Sequence, residues 1–152
     1  MIDLPPALIH NEVPQQCLMV TAKAYGLPPE LIGGILMVEG GRNGMANRNT
    51  NGSFDYGVAQ INSAWLPKTK AAGVDSEGLK SNACKNLWAA GWIMRRCLNK
   101  FNNSFWHGVG CYHTGENPKS PAQLERQRQY AVKVYKAIAR IRRPFSEWLS
   151  SR

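Results

Sequence analysis

The 152-residue sequence contains only ten carboxylates, side chains that can act as general acids or bases, so the candidates can be sorted by elimination. Glu30 follows two prolines and suits the first turn of a helix, where the macrodipole favours a negative charge. Glu39 ends an apolar run, and Asp55 lies in a polar segment. The remaining carboxylates lie near the termini, in turns or beside basic helical faces, where solvated charge is expected: Asp3, Glu12, Asp75, Glu77, Glu116, Glu125 and Glu147.

Glu39 follows Ile32, Ile35 and Leu36 at spacings of seven, four and three residues, which are helical spacings. In a helix, the Glu39 carboxyl therefore projects from a face that is otherwise buried. Burial disfavours the anion and raises the carboxyl pKa toward neutrality, as a general acid that protonates a glycosidic oxygen requires. From the helix alone, a structural glutamate satisfied by backbone donors or an arginine is the stronger alternative.

The elements that must position these carboxylates are mostly helices, because apolar residues recur at helical spacing and convincing strand alternation is absent. Residues 42–56 are rich in Gly, Asn and Asp, which predicts a loop or a short irregular hairpin. The predicted helices cover residues 14–26, 28–39, a segment after Ser63, 82–101, 104–112, and a long last helix from Pro121 with Tyr130, Val134, Ile138 and Ile141 on one stripe.

The length of the chain and its apolar content of 43% suit one hydrophobic core. We expect a single domain over residues 14–142, with an N-terminal extension at 1–13 and a C-terminal tail at 143–152. No apolar run approaches the roughly 18 residues of a membrane span, and the N-terminus lacks the basic-then-apolar pattern of a signal peptide. The expectation is that an export signal was removed, or that export is unusual.

Four cysteines, Cys17, Cys84, Cys97 and Cys111, form an even set without a C-x-x-C pair. This pattern argues against a zinc site and allows two disulfides in an oxidising compartment. Of the three pairings, Cys97 with Cys111 and Cys17 with Cys84 is favoured, because the first pair lies on consecutive predicted helices. Buried free thiols in a reducing cytosol are the alternative.

The net charge of +9 is concentrated near the C-terminus, where residues 122–152 hold eight Lys or Arg against two Glu. This excess predicts a polyanionic partner, and peptidoglycan, with its lactyl-peptide carboxylates, meets that requirement as well as nucleic acid does. The alternative is that these cations only solvate the outer face of one helix: Arg126, Arg128, Lys133, Lys136 and Arg140.

Three segments, ILMVEGG, NTNGSFDYGVAQIN and GCYHTG, occur in this order at lysozyme-like spacing. Over roughly residues 14–140 the chain resembles the lytic transglycosylase (SLT) domain of the goose-lysozyme-like superfamily, particularly the small members associated with secretion, conjugation and pilus systems. The resemblance implies a mostly α, lysozyme-like domain with a short loop or hairpin beside an active-site groove. It also implies a periplasmic location, peptidoglycan strands as substrate and an envelope-spanning machine as a partner.

The resemblance assigns roles to individual residues. Glu39 matches the catalytic acid/base, and Tyr112 matches the tyrosine whose hydroxyl faces the catalytic carboxylate. Tyr130 resembles the tyrosine of the last helix, which packs behind the site. The other substrate-groove residues it implies are Tyr56, Gly57, Gln60, Asn62 and His113.

Each secondary residue also has a simpler interpretation. Gly57 can serve only a tight turn, and Gln60 and Asn62 can cap a helix or bind loop backbone. Tyr112 can be a core aromatic, and His113 lies at the groove edge rather than on a metal. Three departures from the family pattern are Gly40, Ala59 and Cys111, of which the first two remove side chains that would line the groove.

The reaction that the resemblance implies needs one carboxylate and no cofactor or metal. The C6 hydroxyl of the muramic acid attacks its own anomeric carbon and leaves a 1,6-anhydro ring, with Asp55 organising the loop. A hydrolase that uses Glu39 with Asp55 is one alternative. A second alternative is a non-catalytic peptidoglycan-binding module, suggested by Gly40 and Ala59. A third is a nucleic-acid binder that uses the basic run 140–143, and we do not expect this function.

Overall fold

The structure, a computed structural model, describes residues 13–150, without the side chains of residues 143–146, 148 and 149. The predicted N-terminal extension lies outside the described residues except for Val13, which is buried in the core. The helices are α1 (Gln15–Tyr25), α2 (Pro29–Glu39), α3 (Leu66–Ala71), α4 (Ser76–Ser81), α5 (Ala83–Lys100), α6 (Phe105–Thr114) and α7 (Pro121–Ser150), with a 3-10 turn at Ser63–Trp65 before α3. The strands are β1 (Ala46–Arg48), β2 (Phe54–Tyr56) and β3 (Ile61–Asn62).

Helix α2 is the central element, and all six residues from Leu31 to Leu36 are buried. Pro29 begins the helix, since its fixed φ suits the first turn and its missing N–H is not needed there. Gly40, in the left-handed conformation with φ 62°, ends it by donating its N–H to the Leu36 carbonyl. The helix packs against α1 and α7, so Glu39, its last residue, is held between core elements.

Helix α7 packs against α2 and α6 through the predicted apolar stripe, in which Tyr130, Val134, Ile138 and Ile141 are all buried. Its helical backbone continues past the predicted boundary at residue 142 and reaches Ser150. The predicted helix over residues 82–101 is confirmed as α5. Helix α4 is not predicted, because six residues are too few to show a helical period.

The segment predicted as a loop or irregular hairpin contains β1 and β2, which pair antiparallel. Strand β3 adds a third strand in the order β1-β2-β3, although its two residues are too few to show alternation in the sequence. Asp55 pairs with Asn47 on one side and Asn62 on the other. The mostly α, lysozyme-like fold class is therefore confirmed, with the small sheet beside the helical core.

Two disulfides join the helices in the favoured pairing. Cys17–Cys84 links α1 to α5 across 67 residues, and Cys97–Cys111 links α5 to α6 across 14 residues. Each closes a loop of the unfolded chain and lowers its entropy. Within the described residues, no helix combines the length and apolarity that crossing a membrane requires.

We expect reduction to destabilise the fold, because it restores the entropy of both loops to the unfolded chain. Replacing Cys97 and Cys111 together with Ser should lower the free energy of unfolding by about 3 kcal/mol, and replacing Cys17 and Cys84 by about 4 kcal/mol. Urea unfolding with and without reductant measures both effects. Reductant should not change the urea midpoint of the variant that lacks all four cysteines, and an unchanged midpoint in the wild type would contradict the disulfides.

Candidate active site

Glu39 is partly buried and hydrogen-bonded at the C-terminal end of α2. Its Oε2 accepts a hydrogen bond of 2.6 Å from the hydroxyl of Tyr130 on α7. Burial raises the pKa of Tyr130 well above its ordinary value, so the hydroxyl stays protonated and acts as the donor. One carboxylate oxygen of Glu39 is thereby fixed by a buried neighbour.

The tyrosine that faces Glu39 is therefore not the expected one. The resemblance predicts this contact for Tyr112, but the Tyr112 hydroxyl donates to the backbone carbonyl of Ala59 at 2.8 Å. Tyr112 is 8% exposed and lines the cavity at Glu39 with its side chain. The correction follows from the packing of α7 on α2, which brings the Tyr130 hydroxyl, and not that of Tyr112, within hydrogen-bonding distance of the carboxylate.

Aromatic stacking holds Tyr130 in place. The His113 ring lies 5.0 Å from the Tyr130 ring and 6° from parallel, and the Tyr112 ring lies 6.3 Å away at 19°. Partial burial of the imidazole, together with the cations Lys133 and Arg126, lowers the pKa of His113. The neutral form of His113 is thus favoured beside Glu39.

Burial raises the pKa of Glu39 from 4.5 to about 7. The Tyr130 hydrogen bond lowers this pKa, the charge of Asp55 raises it, and the charge of Lys133 lowers it. The position at the negative end of the α2 macrodipole also disfavours the anion. A carboxyl group with this pKa can both donate and accept a proton near neutral pH.

Two cavities share Glu39 and His113 in their walls. The first, of about 290 Å³, lies against the sheet and is lined by Asn49, Asn51, Ser53, Asp55, Gln60 and Asn62 among others. The second, of about 310 Å³, lies against α7 and is lined by Val38, Arg126, Gln129, Tyr130 and Lys133. A ligand that occupies both cavities passes directly over Glu39.

Gln60 and Asn62 line the first cavity, and their amides also organise the sheet. Gln60, with a left-handed φ of 51°, donates to the Gly57 carbonyl at 2.9 Å and accepts from Asn47 at 2.8 Å. Asn62 caps the following 3-10 turn by accepting from the Ala64 N–H at 2.9 Å. The interpretation as loop-binding and capping residues is therefore confirmed, and sugar contact stays a prediction.

Gly57 and Tyr56 line neither of the two cavities at Glu39. Gly57 has φ 69°, and a Cβ there would lie 2.3 Å from both the Asn86 amide nitrogen and the Leu79 carbonyl. Tyr56 stacks on Phe54 with 6.1 Å between the ring centroids and packs against the core. Asp55 and Tyr56 are neighbours on β2, so their side chains project from opposite faces of the strand, and Asp55 is the one that lines the cavity. Contact of Tyr56 and Gly57 with substrate stays a prediction.

Asn86 on α5 is a supporting residue that we did not predict. It is fully buried, accepts from the Ala59 N–H at 3.0 Å, and donates to the carbonyls of Tyr56 and Leu79, each at 2.8 Å. These bonds hold the segment that carries Gln60. A polar residue beside Leu87, on the buried face of the predicted helix, is the sequence feature that points to it.

Asp55 lies in the wall of the same cavity as Glu39 and does not point away from it. Its Oδ1 accepts from the Asn62 amide at 2.9 Å across the strand pair. Among the residues that the structure describes, no group of three or more His, Cys, Asp or Glu side chains could hold a metal ion. His107 contacts Gln127, and His10 lies outside the described residues.

The departures from the family pattern have local structural reasons. Gly40 provides the left-handed end of α2, and Ala59 is fully buried below the Tyr112 hydroxyl. Cys111 forms a disulfide that fixes α6 next to Tyr112.

The comparison with known families agrees with this geometry. The model of the transglycosylase SLT domain matches residues 16–134. The chain therefore belongs to the transglycosylase SLT domain family and is a lytic transglycosylase that acts on peptidoglycan.

Individual relatives align over most of the chain. Protein IpgF of Shigella sonnei is 30% identical over 126 residues, 82% of this chain and 80% of that protein. Invasion protein IagB of Salmonella typhimurium strain LT2 is 25% identical over 127 residues, 83% of this chain and 77% of that protein. A peptidoglycan-binding-like protein of Escherichia coli O157:H7 is 28% identical over 137 residues, 82% of this chain and 77% of that protein.

Tyr130→Phe should move the alkaline limb of the pH–rate profile to higher pH. The hydroxyl favours the Glu39 anion, so its removal raises the Glu39 pKa and keeps the acid protonated at higher pH, by about one pH unit. The measurement is the rate of glycan cleavage as kcat/KM against pH. Tyr112→Phe is the matched control, since its hydroxyl bonds to Ala59, and a shift in this variant but not in Tyr130→Phe would contradict the assignment.

Glu39 should destabilise the folded state as the pH rises. In the folded protein the pKa of Glu39 is about 7, above the ordinary 4.5, so the folded chain binds this proton more tightly than the unfolded chain does. The folded state therefore loses stability as the pH rises from about 4.5 to about 7. The loss is on the order of 3 kcal/mol. The measurement is urea unfolding of the wild type and of Glu39→Gln, each at about pH 4 and about pH 8. The contribution of His113 to the pH dependence is present in both proteins, so it cancels in the difference between them. Equal pH dependence of the two proteins would rule out the raised pKa.

Proposed function

We propose that this lytic transglycosylase cleaves the β-1,4 bond between N-acetylmuramic acid and N-acetylglucosamine, leaves a 1,6-anhydro muramic acid end, and acts in the periplasm. The observation that carries the proposal is a single carboxyl group, Glu39, with a pKa of about 7 at the junction of two cavities. Its position allows the glycan strand to extend to both sides of the bond that is cleaved.

In the first step, neutral Glu39 donates its proton to the oxygen that links the two sugars. The bond between this oxygen and the muramic acid C1 breaks, and positive charge develops on the sugar ring. Burial keeps about half of the Glu39 population protonated at neutral pH, because the pKa is about 7. Tyr130 holds Oε2, so Oε1 is the oxygen available to face the substrate.

In the second step, the Glu39 carboxylate accepts the proton of the muramic acid C6 hydroxyl, and the C6 oxygen bonds to C1. The anhydro ring closes, no water is consumed, and Glu39 returns to its protonated form. The Tyr130 hydrogen bond stabilises the carboxylate between the two steps. We therefore assign Tyr130 as a positioning residue for Glu39.

Asp55 has a structural role in this proposal. Its bond to Asn62 links β2 to β3 and keeps the sheet wall of the first cavity in shape. A lysozyme-type hydrolase that uses Glu39 with Asp55 is the second candidate, favoured by the presence of Asp55 in the same cavity. The two candidates differ in whether water enters the product.

The biological setting that we propose is local wall opening for a secretion, conjugation or pilus apparatus. Its support is the resemblance to small machine-associated family members and the similarity to a Salmonella protein named as an invasion protein. The partner components of such a machine would contact this enzyme outside the groove.

Mass spectrometry of digested sacculi should find glycan ends that lack one water relative to hydrolysed ends. Glu39→Gln should lower the rate by about a thousandfold or more, because the proton donor and acceptor are both lost. Asp55→Asn keeps the size and hydrogen-bonding oxygen of the side chain and should retain activity within about tenfold, with anhydro ends unchanged.

Hydrolysed ends from the wild type, with loss of activity in Asp55→Asn as severe as in Glu39→Gln, would instead establish the lysozyme mechanism. Circular dichroism and the urea midpoint of each variant serve as the folding controls.

A further inference from the structure

The second cavity is lined by one face of α7. Starting from Arg126, the helix carries Gln129, Tyr130 and Lys133 at three, four and seven residues further on. These spacings place all four side chains on the same side of the helix. Tyr130 connects this face to Glu39 through its hydroxyl. The two cations thus stand at either end of a polar stripe that leads to the candidate catalytic carboxyl group.

Neither Arg126 nor Lys133 has a carboxylate partner within salt-bridge distance among residues 13–150, whereas Arg128 on the neighbouring face is paired with Glu125. Both lie close enough to lower the pKa of His113, and Lys133 also lowers that of Glu39. Two cations that face a cavity without a carboxylate partner favour an anionic ligand there.

The first cavity has a different chemistry. Its polar wall consists mostly of amides and hydroxyls, which suit the neutral hydroxyl and acetamido groups of sugars: Asn49, Asn51, Ser53, Gln60 and Asn62. No Lys or Arg lines it among the residues that the structure describes. The contrast separates a sugar-like half of the groove from a cationic half.

From these observations we infer that Arg126 and Lys133 form a binding site for the carboxylates of the stem peptide attached to muramic acid. The inference rests on the proposed function, because it requires a muramic acid beside Glu39. Lys133 follows Arg126 by seven residues. Because a helix rises about 1.5 Å per residue, the two positions lie about 10 Å apart along α7. This distance matches about three residues of an extended peptide, so the two cations can bind carboxylates on different stem residues.

Binding to insoluble sacculi tests the inference without requiring turnover. The Glu39→Gln protein serves as the background so that the substrate is not consumed, and co-sedimentation gives the dissociation constant. The test variant adds Arg126→Gln and Lys133→Gln, and the matched control adds Lys136→Gln and Arg140→Gln, which remove the same charge from exposed positions outside both cavities. Glutamine keeps the helix propensity of α7.

Three substrates separate the sources of negative charge. Native sacculi carry stem carboxylates, sacculi amidated with carbodiimide and ammonia carry the same stems without that charge, and strands stripped by an amidase carry only lactyl carboxylates. On native sacculi the test variant should bind about fivefold more weakly than the background, and the control within about twofold of it. On amidated sacculi the two variants should bind alike.

Equal losses for the test variant and the control on native sacculi would overturn the inference in favour of diffuse attraction. A loss specific to the test variant that persists on stripped strands would overturn it in favour of the lactyl carboxylate. These outcomes are independent of the reaction product, so hydrolysed ends from the catalytically competent chain would refute the proposed function and leave the binding result standing.

Discussion

The hydrogen bond between Tyr130 and Glu39 joins the end of the central helix α2 to the first third of the long helix α7. It exists because α2 buries its apolar residues against α7, and because Gly40 ends α2 directly after the carboxylate. Burial alone would push the Glu39 pKa upward, and the Tyr130 hydroxyl opposes that effect by favouring the anion. The balance leaves a carboxyl group that is neither a permanent acid nor a permanent base at neutral pH.

The walls around this carboxyl group divide according to the elements that supply them. The small sheet supplies amides and hydroxyls, and its shape is held by bonds such as the one that Asn86 accepts from the Ala59 N–H and the one that Asn62 donates to Asp55. Helix α7 supplies two cations. Because Glu39 borders both cavities, the proposed reaction takes place where a surface of mostly amides and hydroxyls meets a cationic one. The disulfide between Cys97 and Cys111 fixes the helix that carries Tyr112 and His113 along this border.

Much of the fold could be predicted from the sequence, because local signals determine it. Proline and glycine set the ends of α1 and α2, helical spacing identified α5 and α7, and the order of the helices favoured the correct cysteine pairs. The spacing of Glu39 from its apolar neighbours predicted its burial. Helix α4 and strand β3 are too short to carry a period.

The site was harder to predict, since its contacts join distant parts of the chain. Whether Tyr112 or Tyr130 reaches Glu39 depends on how α6 and α7 are rotated against α2, which no spacing along one helix determines. The same holds for Asn86, whose partners are Tyr56 and Ala59 in one distant segment and Leu79 on α4. The orientation of Tyr56 away from the cavity follows from the strand register, and a loop assignment gives no register.

The central claim is that the surroundings of Glu39 bring its pKa near neutrality. The most direct test is a 13C NMR titration of the side-chain carboxyl carbon in glutamate-labelled protein, with Glu39→Gln to assign the resonance. A midpoint near pH 7 is the predicted result, whereas a midpoint near the ordinary 4.5 would contradict the account, because the carboxyl group would then be ionised before it could donate a proton.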